Sequence, residues 1–371
     1  MKVIDSDAHV VETERTWDFI PSSLQHLRPI VVNQPDATGA SKPYWLIDGK
    51  VRGTVRQPIG KRDDWDPSRI SPDMEAVSQA SGRKVDTPDA SKHMEDVGAR
   101  LRHMDELGID YQMLYPTIFL RQLTDLPETR IALAQGYNRW LADIWGQSEG
   151  RLKWACVLPL GQMDEALTEL RWAVEHGACG VFMRGIEEEG VITDPYFFPL
   201  YDEMSKLDVA VTVHIGNGNP EMERLLNHGA GGSPFSSMRL ASVAACHQWI
   251  LAGVPEQFPK LRIGFVEAAA QWIPYLVNDL VRRYPARRGH VPVPGEILRE
   301  NRVWVTCQTD DDIAYLVRYA GEDNLMIGTD YGHTDQSSEI EALRVFQEEG
   351  QVSSAIASKI LDDNPSAFYG F

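Results

Sequence analysis

VIDSDAHVVE, residues 3–12, is an apolar run interrupted by Asp5, Asp7 and His9. Read as a β-strand, its alternation of faces puts Asp7 and His9 on one side, with apolar neighbours fixing their direction. A doubly wound open sheet would follow so early a strand with a glycine-rich phosphate turn. This run carries no such fingerprint and leads straight into ionisable residues. Seven more runs of strand length follow: IDYQMLYP (109–116), KWACVLPL (153–160), GVFMRG (180–185), VAVTVHIG (209–216), RIGFVEAA (262–269), RVWVTCQT (302–309) and NLMIGTDY (324–331). Between them lie stretches such as GARLRHMDELG and MDEALTELRWAVEHG, with apolar residues at three- and four-residue spacing and a terminal glycine of the kind that caps helices. Strand then helix, eight times, predicts the α/β class and, within it, a (β/α)8 TIM barrel forming a single domain over 1–371.

Residues 31–95 break the alternation with a long insertion after strand 1, polar and rich in Pro, Gly, Ser and Asp. Its aromatic piece YWLIDGKVRG holds Asp48-Gly49, a type I′ hairpin signal. Barrel active sites lie at the C-terminal ends of the strands, so an insertion there is expected to be a lid or a dimer element, against the plainer reading of a tolerated surface loop. GNGNPEMERLLNHGAGGSPFSSM, at 216–238, overlooks the same mouth.

Composition narrows the classes of function. Of 371 residues, 43% are hydrophobic and 24% charged, as in an ordinary folded chain, and the formal net charge is −18. So acidic a surface repels a phosphate backbone, and no nucleic-acid partner is expected. With no apolar leader core and no run near the roughly 20 apolar residues that span a bilayer, no membrane partner and a cytoplasmic location are expected. Cys156, Cys179, Cys246 and Cys307 are widely spaced without a C-x-x-C pair, which argues against a zinc knuckle or a disulfide framework. Cys307 ends a strand-like run where a nucleophile could sit, but no His neighbours it, and the core reading is preferred.

Five ionisable residues end the strand-like runs: Asp7 and His9 on the first, His214 on the fifth, Glu267 on the sixth and Asp330 on the eighth. Singly, each has a plain explanation, such as a helix N-cap for Asp330. Jointly, they place metal-competent groups in the order a barrel mouth needs. Imidazoles with carboxylates suit Zn²⁺ or Mn²⁺, with Fe²⁺ also compatible, whereas Mg²⁺ and Ca²⁺ prefer oxygen alone. Such a metal lowers the pKa of a bound water to about 7 or chelates a substrate carboxylate, while a carboxylate beside it moves the proton. Arg184 could pair a substrate carboxylate, or equally an acid of the following IEEEG. Trp272 and Tyr331 could line an apolar substrate pocket or simply pack, and His333, with Asp335, could support or extend the ligand set. His247 reads as structural.

DxH on strand one, VxVH on strand five, xxVE on strand six and GTDYGH on strand eight together resemble the amidohydrolase superfamily, in the amidohydrolase-2 branch similar to aminocarboxymuconate semialdehyde decarboxylase. LRHMDELGIDYQMLYPT, FVEAAAQWIP and ILDDNPSAFYGF extend the resemblance over nearly the whole chain. It implies that Asp7, His9, His214 and Asp330 bind one divalent metal, with Asp330, Glu267 and His214 as catalytic groups and Asp330 transferring the proton. Substrate contacts are expected from Arg184, Trp272 and His333. The implied activity is hydrolysis or non-oxidative decarboxylation of a small carboxylate-bearing substrate, aromatic or unsaturated, by a homodimer. Strand one has Asp7 where many relatives have His or Glu, and strand six has Glu267 where many have His. Met183 and Arg184 stand where binuclear members carry a carbamylated lysine, so a lysine-bridged metal pair is not expected. The competing class is a non-heme diiron monooxygenase on the same fold, with Asp7, Glu267, Asp330 and His333 as additional donors. A metal-free scaffold protein ranks last, since none of the four implied ligands is missing.

Overall fold

Parallel strands buried on both faces need near-continuous apolar, β-branched sequence, and all eight runs supply it. The computed structural model describes residues 1–35, 41–52, 80, 82–226, 235–334 and 337–370. Its strands are β1 (Ile4–Val10), β2 (Tyr111–Pro116), β3 (Leu152–Cys156), β4 (Ala178–Arg184), β5 (Ala210–His214), β6 (Ile263–Val266), β7 (Val303–Cys307) and β8 (Leu325–Ile327). They form one eight-stranded sheet in sequence order, each paired in parallel with the next. Closure falls just beyond β8, where the backbone N–H of His9 donates to the Tyr331 carbonyl at 2.7 Å and Ala8 bridges Tyr331. The architecture is the expected (β/α)8 barrel.

A helix follows each strand: α1 (Val97–Leu107), α2 (Pro127–Gln147), α3 (Met163–Glu175), α4 (Phe198–Leu207), α5 (Leu240–Ala252), α6 (Ile273–Arg288), α7 (Ile313–Ala320) and α8 (Ala342–Glu349). Gly108 ends α1 in the left-handed conformation at φ 72°, as its sequence position suggests.

Part of the insertion folds as a small antiparallel sheet of three strands, Ile30–Pro35, Ser41–Ile47 and Lys50–Arg52, where the sequence had offered only a hairpin. Asp48 and Gly49 take φ of 52° and 70°, as a type I′ turn requires. The Asp48 carboxylate accepts from the hydroxyls of Thr124 and Thr129, and Trp45 meets the edge of Trp17. The turn is thereby tied to the β2–α2 connection, on the C-terminal side of the barrel. The expected lid or dimer element also includes residues 36–40, 53–79 and 81, which lie outside the described residues, as do 227–234 and Asp335.

Candidate metal centre

Strand ends position the cluster. Asp7 and His9 come from β1, whose pairing with β2 shifts register between Asp5 and Ala8, and His214 is the last residue of β5. Glu267 directly follows β6 and Asp330 lies three residues beyond β8; both sit in the left-handed region, at φ 59° and 52°. That conformation costs a non-glycine residue about 1 kcal/mol or more and is found where a site over-determines the backbone. Here it turns both carboxylates across the mouth. Gly328 lets β8 come close enough to do so, since a Cβ there would stand 2.2 Å from that of Asp7.

The six side chains of Asp7, His9, His214, Glu267, Asp330 and His333 are all buried. His214 Nε2 lies 3.4 Å from Asp7 Oδ1 and 3.3 Å from Glu267 Oε2. His9 Nε2 lies 3.5 Å from Asp7 Oδ1, 3.6 Å from Glu267 Oε2 and 3.4 Å from Asp330 Oδ1. His333 Nδ1 stands 2.8 Å from Asp330 Oδ1. Burial alone would raise the Asp7 carboxyl, but hydrogen bonds and charge from His214 and His9 hold it well below the usual carboxylate range. Burial first, then the neighbouring imidazoles of His9 and His214, holds His333 well below the usual imidazole range.

Chemistry of the donor set fits a divalent transition metal. His9 Nδ1 donates to the Pro116 carbonyl and His214 Nδ1 to that of Ile215, each at 3.1 Å. Carbonyls only accept, so both imidazoles carry a proton on Nδ1; protonated at Nε2 as well they donate to Asp7, and in the neutral state that metal ligation requires each turns an Nε2 lone pair toward carboxylate oxygens. Lone pairs facing anionic oxygens at 3.3–3.6 Å call for a positive charge among them. Backbone-anchored imidazoles with carboxylates are the ligand set of zinc and manganese sites. The donor atoms fall into two overlapping groups, Asp7, His9, His214 and Glu267, and His9, Glu267, Asp330 and His333, with the atoms of each lying within 4.8 Å of one another. Asp330 thus keeps company with His333, while His9 and Glu267 belong to both groups.

A buried frame supports the cluster, and sequence reasoning had not singled it out. Glu12 accepts from the backbone N–H groups of Thr117 and Ile118 at 3.1 and 3.0 Å. Burial pushes its carboxyl up to about 7. The Thr117 hydroxyl reaches Val10 O at 2.8 Å and His333 Nε2 at 2.9 Å. Asp5 accepts from Thr329 Oγ1 at 2.6 Å and Gln112 Nε2 at 2.9 Å, while Arg100 holds Gln112 at 2.6 Å and the His9 carbonyl at 3.2 Å. Ser338 donates to Asp330 Oδ2 at 2.7 Å, leaving Oδ1 on the side of the imidazoles. The only signal available in advance was the density of polar residues in apolar runs at 5–12 and 329–338.

Other candidates stand apart. Arg184 is paired with buried Glu187, through Nε at 2.9 Å and through Nη2, and gives Nη1 to the Phe119 carbonyl at 3.3 Å. Of the two readings open for it, the ion pair within IEEEG is the one formed. Trp272 donates its indole N–H to Ala269 O at 2.7 Å and packs edge-on against Phe265. Tyr331 lies under the Arg100 guanidinium, 3.6 Å from its centre, and bonds His103 at 2.6 Å. His247 pairs with Asp279 at 2.9 Å. Burial pushes the Cys307 thiol well up, so it offers no thiolate. A pocket opens at the ends of β2, β3 and β4, lined by Phe119, Leu158 and Leu160 together with Arg121, Arg130 and Arg184 and by none of the six cluster residues. Among the described residues, no helix is long and apolar enough to cross a membrane.

Comparison with known proteins places this geometry. A family profile described as Amidohydrolase matches residues 4–371. Over 265 residues the chain is 25% identical to the 2-amino-3-carboxymuconate-6-semialdehyde decarboxylase of Dictyostelium discoideum, covering 68% of this chain and 72% of that one. Over 212 residues it is 27% identical to a gamma-resorcylate decarboxylase of a Rhizobium species, covering 51% and 63%. Among solved structures, an amidohydrolase from Mycobacterium avium subsp. paratuberculosis superposes with a TM-score of 0.75 at 21% identity, covering 100% of this chain and 98% of that one. A dihydroxybenzoic acid decarboxylase from a Polaromonas species, solved with bound manganese and 2-nitroresorcinol, gives 0.64 at 17% identity, covering 100% and 97%. Both share the fold.

Proposed function

Because the chain belongs to the amidohydrolase family and is by that membership a metal-dependent hydrolase or decarboxylase, we propose that it catalyses non-oxidative decarboxylation of a small aromatic or unsaturated carboxylate. The observation that carries this reading is the convergence of Asp7, His9 and His214 with the carboxylates of Glu267 and Asp330 in two overlapping buried groups at the barrel mouth. The decarboxylase names of the curated relatives favour carbon–carbon cleavage over its sister reaction, hydrolysis. Asp7, His9 and His214 would hold a divalent metal, zinc or manganese by the donor set, which would supply an electrophile for a substrate carboxylate.

The chain's own groups do the rest. His9 and His214, held at Nδ1 by backbone carbonyls, keep their orientation through the reaction. Asp330 is the proton donor: the bond to the departing carboxylate breaks, CO₂ leaves, and the electron pair left on carbon takes the Asp330 proton, which solvent restores. Ser338 fixes one oxygen of that carboxyl while the other lies beside His9 and His333. Glu267 completes the negative wall, with His333 beside Asp330. Arg184 and Trp272 are proposed as substrate contacts. A cytoplasmic location, a homodimer, and residues 31–95 as a lid or dimer element belong to the same proposal; the homodimer rests on the family resemblance and the lid or dimer element on its place after β1.

One observation favours the two-iron oxygenase as a second reading, namely the second donor group around His333. A single assay separates the two. Protein loaded with manganese or zinc is expected to release CO₂ from aromatic or unsaturated carboxylates, and Asp330→Asn is expected to lower turnover by about 100-fold or more. Oxygen consumption without CO₂ release would overturn the decarboxylase reading in favour of the oxygenase.

A further inference from the structure

We propose that Asp311, in the turn after β7, is the positioning residue for Glu267: its buried carboxylate holds the backbone beyond β6 in the left-handed conformation that turns Glu267 across the mouth. This rests on the decarboxylase reading above, in which Glu267 stands in the reacting cluster, and adds a residue that acts only through it. Glu267 and Ala269 both lie in the left-handed region, at φ 59° and 54°. Glycine adopts that backbone without strain, whereas two residues with a Cβ so close together hold it only where neighbours impose it.

Asp311 is placed to impose it. The residue is 2% exposed. Its Oδ1 accepts from the backbone N–H groups of Ala270 and Gln271, each at 3.1 Å, and its Oδ2 from those of Ala270 at 2.9 Å and Gln308 at 2.8 Å. One carboxylate thus joins the turn after β6 to the turn after β7. Two further bonds close the frame: Gln308 Nε2 donates to the Glu267 carbonyl at 3.4 Å, and the Trp272 indole N–H to that of Ala269 at 2.7 Å. Both left-handed residues are therefore held at their carbonyls, while Asp311 takes the next two N–H groups. The neighbouring aspartates serve elsewhere. Asp312 caps α7 by accepting from the Tyr315 N–H at 2.9 Å, and Asp310 pairs with Arg83 at 3.4 Å. What the turn delivers is Glu267 Oε2, 3.3 Å from His214 Nε2 and 3.6 Å from His9 Nε2. Misplacing a reacting group by about 1 Å costs on the order of 100-fold in rate.

Asp311→Asn keeps the shape of the side chain but replaces one acceptor oxygen by an amide NH₂, which cannot receive a backbone N–H. Its kcat on an aromatic carboxylate should fall by about 10- to 100-fold with KM little changed. In the Glu267→Gln background the same substitution should cost little further, because its effect passes through Glu267. Equal fold-losses in the two backgrounds, or wild-type turnover in Asp311→Asn, would overturn the proposal. A second measurement is independent of the reaction: amide hydrogen exchange over 267–272, in protein as purified, should be about 10-fold faster or more in Asp311→Asn, with the strands of the barrel unchanged. Unchanged exchange there, or acceleration spread over the whole barrel, would overturn it. Should Asp311→Asn fail to fold, wild-type exchange decides: slow amides at 270, 271 and 308 support the clamp, and exchange at the rate of an exposed loop overturns it. No CO₂ release from the wild type would overturn the decarboxylase reading, and hydrogen exchange would then decide the role of Asp311 alone.

Discussion

At the scale of single residues, the site depends on groups that never meet a substrate. Glu12 spends both carboxylate oxygens on the backbone of Thr117 and Ile118, and Thr117 in turn aims His333. Its folded-state pKa of about 7 lies above the ordinary 4.5, so the folded chain binds that proton more tightly than the unfolded one. The stability this contributes is complete below pH 4.5 and is lost as pH rises through about 7. Across that window Glu12 should cost the wild type about 3 kcal/mol relative to Glu12→Gln. Denaturant titrations of both proteins at several pH values measure this, and a difference that does not change with pH would refute it. Such residues were not legible in the sequence because their partners are backbone groups of another loop. His214 and Asp330 were legible because each closes an apolar run that has no other need of an ionisable group, and Asp7 and His9 because strand alternation puts both on one face of β1.

At the scale of elements, apolar continuity revealed all eight strands, and the Asp48-Gly49 turn was readable from its dihedral requirement alone. What periodicity could not carry is where the chain goes after a strand ends. β8 is short, from Leu325 to Ile327, and Asp330 and His333 reach the cluster on irregular backbone beyond it. The pairing of Arg184 with Glu187 was likewise open, because it depends on a tight turn across Ile186. Gly328 makes the approach of β8 to β1 possible, and a methyl group there would meet both the side chain and the backbone of Asp7. Gly328→Ala should therefore destabilise the fold by about 1–3 kcal/mol, as overpacking of a tight interior does, and weaken metal binding through displacement of Asp7. Thermal melts with and without metal would show it; an unchanged melting temperature and unchanged metal affinity would contradict the role given to this contact.

For the whole molecule, eight strands each contribute little chemistry, and the barrel's closure at its C-terminal face turns scattered strand ends into one site. A chain with a net charge of −18 concentrates three of its carboxylates, all buried, at that face. Holding them together without a cation would oppose folding. The account's central claim is that a divalent metal resolves this. It is tested most directly by the metal content of protein purified without added metal or chelator, read by elemental mass spectrometry beside His214→Ala. The account predicts at least one zinc, manganese or iron per chain in the wild type and a loss of bound metal in a folded variant. Wild-type protein that is metal-free as purified and stays so after loading with zinc or manganese would contradict it.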